Sequence, residues 1–200
     1  MRRLMLIFML CVFAASAFAL DLNPPNWRTA PRTTFQLWGF DTNNANPLPD
    51  VYFGPFNPLP ADVRPLAGHE WIAALDNRTG VWPLSGQVFV PIKNFPEPFN
   101  EKLIWIQLTW TTKGGVPVTE ASGDNGLMVD GTLLSEVPLA NGWTHSTYQI
   151  TLQPNPTQEL VHIYGAIYLD EMVIDTICIP EPATLSLLIA GALFAARKRH

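Results

Sequence analysis

Three histidines, His69, His145 and His162, lie in the body of this 200-residue chain, and no two of them share a metal-ligand spacing. A hint of a nucleophile beside a base is Ser146 next to His145, in Gly142-Trp143-Thr144-His145-Ser146-Thr147-Tyr148. Neighbours on a strand point to opposite faces, so this pair does not read as an activated serine. No nucleophile elbow, zinc-protease helix, phosphate loop or dinucleotide fingerprint is present. A two-carboxylate glycosidase is defined by a distance in space, which the order of residues leaves open. Asp41, Asn43 and Asn44 offer oxygen ligands after a strand, a weak calcium candidate that Asp124-Asn125-Gly126 or Asp170-Glu171 would have to complete. Asp and Asn clusters serve turns equally, and the turn reading is preferred. No catalytic residue and no cofactor is assigned. The aromatics carry more: seven tryptophans all fall in the body. Trp105, His162, Tyr164 and Tyr168 form a candidate glycan platform if they share an exposed sheet face. The competing reading buries these rings as packing residues, since large rings are mostly core.

The elements that must position these residues are strands. With 19 prolines and turn clusters every ten or so residues, sustained helical spacing is missing and period-two alternation dominates. Lys102 to Thr112 sets Ile104, Ile106, Leu108 and Trp110 on one face and Leu103, Trp105, Gln107, Thr109 and Thr111 on the other. Tyr148, Ile150 and Leu152 alternate likewise, as do Val161, Ile163, Ile167 and Leu169 within a run predicted as one strand from Glu159 to Asp170. A last strand covers Glu171 to Ile179, and shorter ones cover Phe35 to Phe40, Gln87 to Ile92, Leu127 to Val129 and Leu133 to Val137. Asp130-Gly131 is a two-residue hairpin signal, and Lys113-Gly114-Gly115 closes the strand before it. Residues 43–64 contain Asn46-Pro47-Leu48-Pro49-Asp50-Val51, answered by Asn57-Pro58-Leu59-Pro60-Ala61-Asp62-Val63. Two copies make no solenoid, so a long extended loop over the domain is expected. The sum is an all-β, antiparallel β-sandwich, jelly-roll-like, over residues 20–179.

The N-terminus has the parts of a secretory signal: Arg2 and Arg3, an apolar run from Leu4 to Phe13, and Ala17-Phe18-Ala19 as cleavage site, which makes residues 1–19 a signal peptide. Its removal takes away Cys11 and leaves Cys178 alone. A buried thiol is expected there in preference to an intermolecular disulfide. All 17 acidic residues lie between Asp21 and Glu181, against seven basic ones, a net charge of −10. Such a body is repelled by phosphate backbones and by anionic membrane surfaces, so no nucleic-acid partner is expected. Asn77-Arg78-Thr79 matches a glycosylation sequon and is read as a surface loop.

The C-terminal residues 180–200 run Pro180-Glu181-Pro182, an uncharged apolar stretch from Ala183 to Ala196, then Arg197, Lys198, Arg199 and His200. Fourteen helical residues reach about 21 Å, short of a hydrocarbon core of about 30 Å, so this transmembrane helix is a marginal anchor. The basic tail holds the C-terminus in the cytoplasm. The prolines keep the junction extended. In order, spacing and terminal placement this segment resembles the PEP-CTERM sorting signal of bacteria. Lys198 between the arginines and the terminal His200 are small departures. The resemblance covers about a tenth of the chain, and what it implies is an address: Pro180, Glu181 and Pro182 as sorting motif, residues 183–196 as span, and Arg197, Lys198 and Arg199 as retention tail. Its implied partner is an exosortase-type membrane processing enzyme, and its implied setting an exopolysaccharide-rich matrix.

The expectation is therefore a non-enzymatic protein exported through the inner membrane, transiently anchored there, and delivered to the outer envelope or extracellular matrix, with a body that binds polysaccharide. A purely structural surface or matrix protein without a glycan site is the second reading, and a secreted glycan-active enzyme the third.

Overall fold

The computed structural model describes residues 21–95 and 99–180. The signal segment 1–19, Glu181, Pro182, the span 183–196 and the basic tail with Arg197, Lys198 and Arg199 lie outside the described residues. Among the described residues, no helix is long and apolar enough to cross a membrane.

Alternation of apolar and polar side chains turns nearly every strong period-two run into a strand. In chain order these are β1 (Thr33–Trp38), β2 (Val51–Phe53), β3 (Asp62–Arg64), β4 (Ile72–Leu75), β5 (Arg78–Leu84), β6 (Gln87–Lys93), β7 (Glu101–Thr112), β8 (Val118–Ser122), β9 (Met128–Asp130), β10 (Thr132–Pro138), β11 (Thr144–Leu152), β12 (Gln158–Tyr164) and β13 (Ile167–Ile179). They form two antiparallel sheets. The larger has the order β10-β11-β7-β13-β1-β2, with β5 also on β13 and β4 on β5; the smaller is β3-β6-β12-β8-β9. One apolar core joins them as a β-sandwich. Ile104, Ile106 and Leu108 of β7, Ile150 of β11 and Ile174 of β13 meet Val88 and Val90 of β6 and Val161 and Ile163 of β12 in a single buried cluster. Each such side chain contributes about 2 kcal/mol of transfer free energy, which is why the inward phase of these strands is almost purely aliphatic.

Three expectations are corrected. Asp130-Gly131 does not make a hairpin: β9 pairs with β8 in the small sheet and β10 with β11 in the large one, so the dipeptide is a crossing between sheets. Glycine is needed there for space, because a Cβ on Gly131 would strike Thr119. The run from Glu159 to Asp170 is two strands, not one. Gly165 (φ +143°) breaks it, sending Val161 and Ile163 to the small sheet and Ile167 and Leu169 to the large. Both halves face one core, so the alternation is the same on either side of the break. Residues 43–64 are not a plain loop either. Each copy of the repeat ends as a short edge strand, β2 pairing β1 and β3 pairing β6. Edges are where a proline-rich chain fits, since the missing amide donors face outward. The β4–β5 hairpin was not anticipated. Its turn, Asp76-Asn77 with φ of 47° and 67°, is the left-handed pair that a tight hairpin requires, and both residues are exposed, at the sequon.

The outer face of the large sheet is covered too. Gln107, Thr109, Thr147 and Asp175 are completely buried although they point away from the core. Residues 21–32 cover Gln107, Thr147 and Asp175, while Thr109 meets His145. The Asn23 amide donates to Gln107 Oε1 (2.9 Å), and its side chain reaches Thr147 and Ser135. Arg28 donates to both oxygens of Asp175 and also pairs with Asp21.

Candidate functional site

The four aromatics of the sequence platform do not share one face. Trp105 stands on β7 in the large sheet, half-buried beneath the N-terminal segment, where its indole donates to Asn23 O at 2.9 Å. Tyr168 is on the same outer face, opposite Thr111, with Lys113 over its ring at 5.4 Å. Six residues of strand separate their registers, about 20 Å at roughly 3.3 Å per residue.

His162 and Tyr164 lie in the other sheet, on the outer phase of β12. There they join a residue that sequence reasoning passed over, Phe89 of β6. Phe89 and His162 stack nearly parallel (8°) at 4.5 Å, and His162 and Tyr164 at 4.6 Å. Arg64 sits over the other face of this row, 4.8 Å from the Phe89 centroid. Glu120 of β8 accepts the Tyr164 hydroxyl at 2.8 Å and lies 3.3 Å from His162 Nδ1. That hydrogen bond, with the charge of Glu120, pushes the Tyr164 phenol up. The cause of the row is register: Asp62, Phe89, His162, Glu120 and Asp130 oppose one another across five strands. Because the rings stack on each other, their faces are largely spent on the protein itself.

His145 and Ser146 face opposite ways. His145 Nδ1 is 3.1 Å from Thr109 Oγ1 and Nε2 3.2 Å from Gln107 Oε1 on the outer side, while Ser146 Oγ accepts the Trp110 indole (2.9 Å). Burial pushes the His145 imidazole down, so it serves as a neutral member of a structural network. Cys178 is a buried free thiol, pushed up by burial. Of the calcium candidates, Asn44 closes a turn onto both backbone groups of Asn46. No group of three or more His, Cys, Asp or Glu side chains among the described residues could hold a metal ion.

A concave site does exist, at one end of the sandwich between the β3–β4 loop and β5. This cleft, about 380 Å³, is lined among others by Asn43, His69, Glu70, Trp71 and Trp82. Trp71 is half-buried and held by its indole N–H, which donates to Phe40 O at 2.9 Å. Phe40 itself is bulky, buried and at φ +54°, a left-handed conformation that costs about 1–3 kcal/mol. Two buried nitrogens of the lining, His69 Nδ1 and Trp82 Nε1, have no hydrogen-bond partner among the described residues. Leaving such a group unsatisfied costs about 1–3 kcal/mol. Its lining gives an aromatic side, the His69 residue, the Asn43 amide and the Glu70 carboxylate. Sequence signals for it were thin: Trp71 and Trp82 belong to the tryptophan excess, but nothing in their spacing tied them to His69.

No protein-family model matches the sequence, and no curated protein matches it. Among solved structures, the chain is similar to a Bacillus thuringiensis Cry1Da tryptic core variant (15% identity, TM-score 0.35), over 58% of this chain and 22% of that one. It is also similar to the carbohydrate-binding module CBM6cm-2 from Cellvibrio mixtus lichenase 5A in complex with cellotriose (16%, TM-score 0.32, 54% of this chain and 86% of that one). A third is CBM35 from Cellvibrio japonicus Abf62 (11%, TM-score 0.31, 57% and 91%).

Proposed function

We propose that this chain is an exported envelope or extracellular-matrix protein whose β-sandwich binds polysaccharide in the cleft of Trp71, Trp82 and His69. The observation that carries the reading is the cleft itself, which sets Trp71 and Trp82 beside the polar side chains of Asn43, His69 and Glu70. Sugars present one apolar ring face and a rim of hydroxyls, and this lining answers both. The acidic body suits a neutral glycan better than a phosphate polymer. Glu70 is the single carboxylate of the lining, and hydrolysis at this site would need two, so binding without turnover is the reading adopted. The strand orders β5-β13-β7-β11 and β6-β12-β8-β9 support a jelly-roll-like description of the sandwich.

Export and sorting belong to the same proposal and rest on the terminal sequences. Residues 1–19 direct secretion. An exosortase-type enzyme then recognises Pro180, Glu181 and Pro182 at the inner membrane and releases the body. Strand β13 ends at Ile179, and Pro180, the first residue of the motif, is exposed.

Affinity electrophoresis in gels cast with neutral polysaccharides, followed by a glycan array, tests the binding. Retardation that weakens at least about tenfold (about 1.4 kcal/mol) in Trp71→Ala supports it; equal retardation of wild type and variant overturns it. For sorting, Glu181→Ala should leave the protein in the inner membrane with its tail attached, and normal release would reject the motif.

A further inference from the structure

At the opposite edge of the core, the inward phase of four strands ends in polar groups. Lys102 follows the phase of Ile104 and Ile106 on β7, Glu159 that of Val161 on β12, and Cys178 that of Ile174 on β13, while Asn94 comes directly after β6. Lys102 and Glu159 are 0% exposed, Cys178 1% and Asn94 7%. Lys102 Nζ donates to Asn94 Oδ1 and lies 3.2 Å from Glu159 Oε1. The Asn94 carboxamide is fixed on its other side by Nδ2 donating to Pro156 O at 2.8 Å. An amine, a carboxamide and a carboxyl group thus touch one another where water is excluded.

We propose that Lys102 Nζ and Asn94 Cγ become joined by an amide bond inside the sandwich, with Glu159 carrying the protons and ammonia leaving. The ammonium of Lys102 passes one proton to Glu159, and the freed lone pair attacks Asn94 Cγ. The carbonyl electrons move to Oδ1, where the Glu159 acid donates a hydrogen bond. Glu159 next takes a proton from the attacking nitrogen and hands one to Nδ2. The Cγ–Nδ2 bond breaks as the carbonyl re-forms. One ammonium, one carboxylate and one primary amide become one secondary amide, one carboxylic acid and one ammonia, with no change of oxidation state and no co-reactant. Burial pushes the Glu159 carboxyl up, favouring the acid form that the step requires. Holding amine and carbonyl in contact removes the entropic part of the barrier. The product also replaces a completely buried ion pair, costly to desolvate, by a neutral amide. The bond would tie the end of β6 in the small sheet to β7 in the large one. That is a staple for a domain whose described residues hold one cysteine and so no disulfide.

Peptide mapping of the purified, denatured native protein decides it. Trypsin acting after Lys93, Lys102 and Lys113 separates residues 94–102 from 103–113 if Lys102 is free. With the bond in place, cleavage after Lys102 is lost and residues 94–113 appear as one peptide lighter by one ammonia. Asn94→Ala and Glu159→Gln should restore both the cut and the full mass. Cleavage after Lys102 at full mass in the native protein overturns the proposal. So does loss of ammonia with cleavage retained, which would mark a succinimide at Asn94 instead. A bond that persists in Glu159→Gln overturns the role of Glu159.

Discussion

Arg28 clamps Asp175 across 147 residues of sequence, its Nε on Oδ1 at 2.6 Å and its Nη2 on Oδ2 at 2.7 Å. The carboxylate is completely buried on a central strand, and the guanidinium arrives from the segment that precedes the first strand. Burial opposes the Arg28 charge, but the hydrogen bonds to Asp175 and Asp21 outweigh it and raise the guanidinium. The clamp explains how residues 21–32 stay on a sheet face that would otherwise be wet.

Removing the clamp should be expensive. Arg28→Ala leaves a buried carboxylate without its partner, a situation that costs about 3–5 kcal/mol. Urea denaturation followed by tryptophan fluorescence measures this, and a loss below about 1 kcal/mol would mean that Arg28 is a surface residue in energetic terms.

Asp175 makes stability depend on pH in an unusual direction. Burial, the largest influence, lifts its carboxyl from 3.8 to about 6, with the Arg28 bonds pulling the other way. A carboxyl raised on folding stabilises below its unfolded value and loses that contribution as pH climbs through its folded one. The stability advantage of wild type over Asp175→Asn should therefore shrink between about pH 4 and pH 6, by up to about 3 kcal/mol. An advantage that grows over the same range would show that attraction to Arg28 outweighs burial.

The crossing between β12 and β13 requires glycine. At Gly165 (φ +143°) a Cβ would collide with the carbonyl oxygen of Val116. Gly165→Ala should cost about 2–3 kcal/mol in thermal or chemical denaturation, whereas Gly114→Ala, with open space around its Cβ, should cost less. Equal costs would contradict this account.

Trp105 and Trp71 should separate stability from binding. Trp105→Ala loses an indole packed beneath the N-terminal segment and its bond to Asn23, about 2 kcal/mol, with glycan retardation unchanged. Trp71→Ala should lose glycan retardation. A loss of retardation in Trp105→Ala at full stability would return the glycan site to the outer face of the large sheet.

The all-β class and most strands were legible because alternation is local: Ile104, Ile106 and Leu108 declare an inward face whatever lies opposite. Sheet membership was not, and Asp130-Gly131 shows why. A glycine kept for clearance beside Thr119 reads the same as one kept for a turn. The inward phase of Lys102 and Glu159 was also written in the sequence, as charges in step with aliphatic neighbours. Their meeting with Asn94 was not, because it spans two sheets.

The sequence by itself determined the alternating strands, the acidic body and the terminal segments from which an address is inferred, since each depends only on neighbouring residues. Tertiary structure alone decided that Trp105 is roofed by Asn23, that Phe89 rather than Trp105 stacks with His162, and that His69 and Trp82 share a cleft. Those relations depend on which strands pair and what the loops cover, and pairing is a property of the whole core.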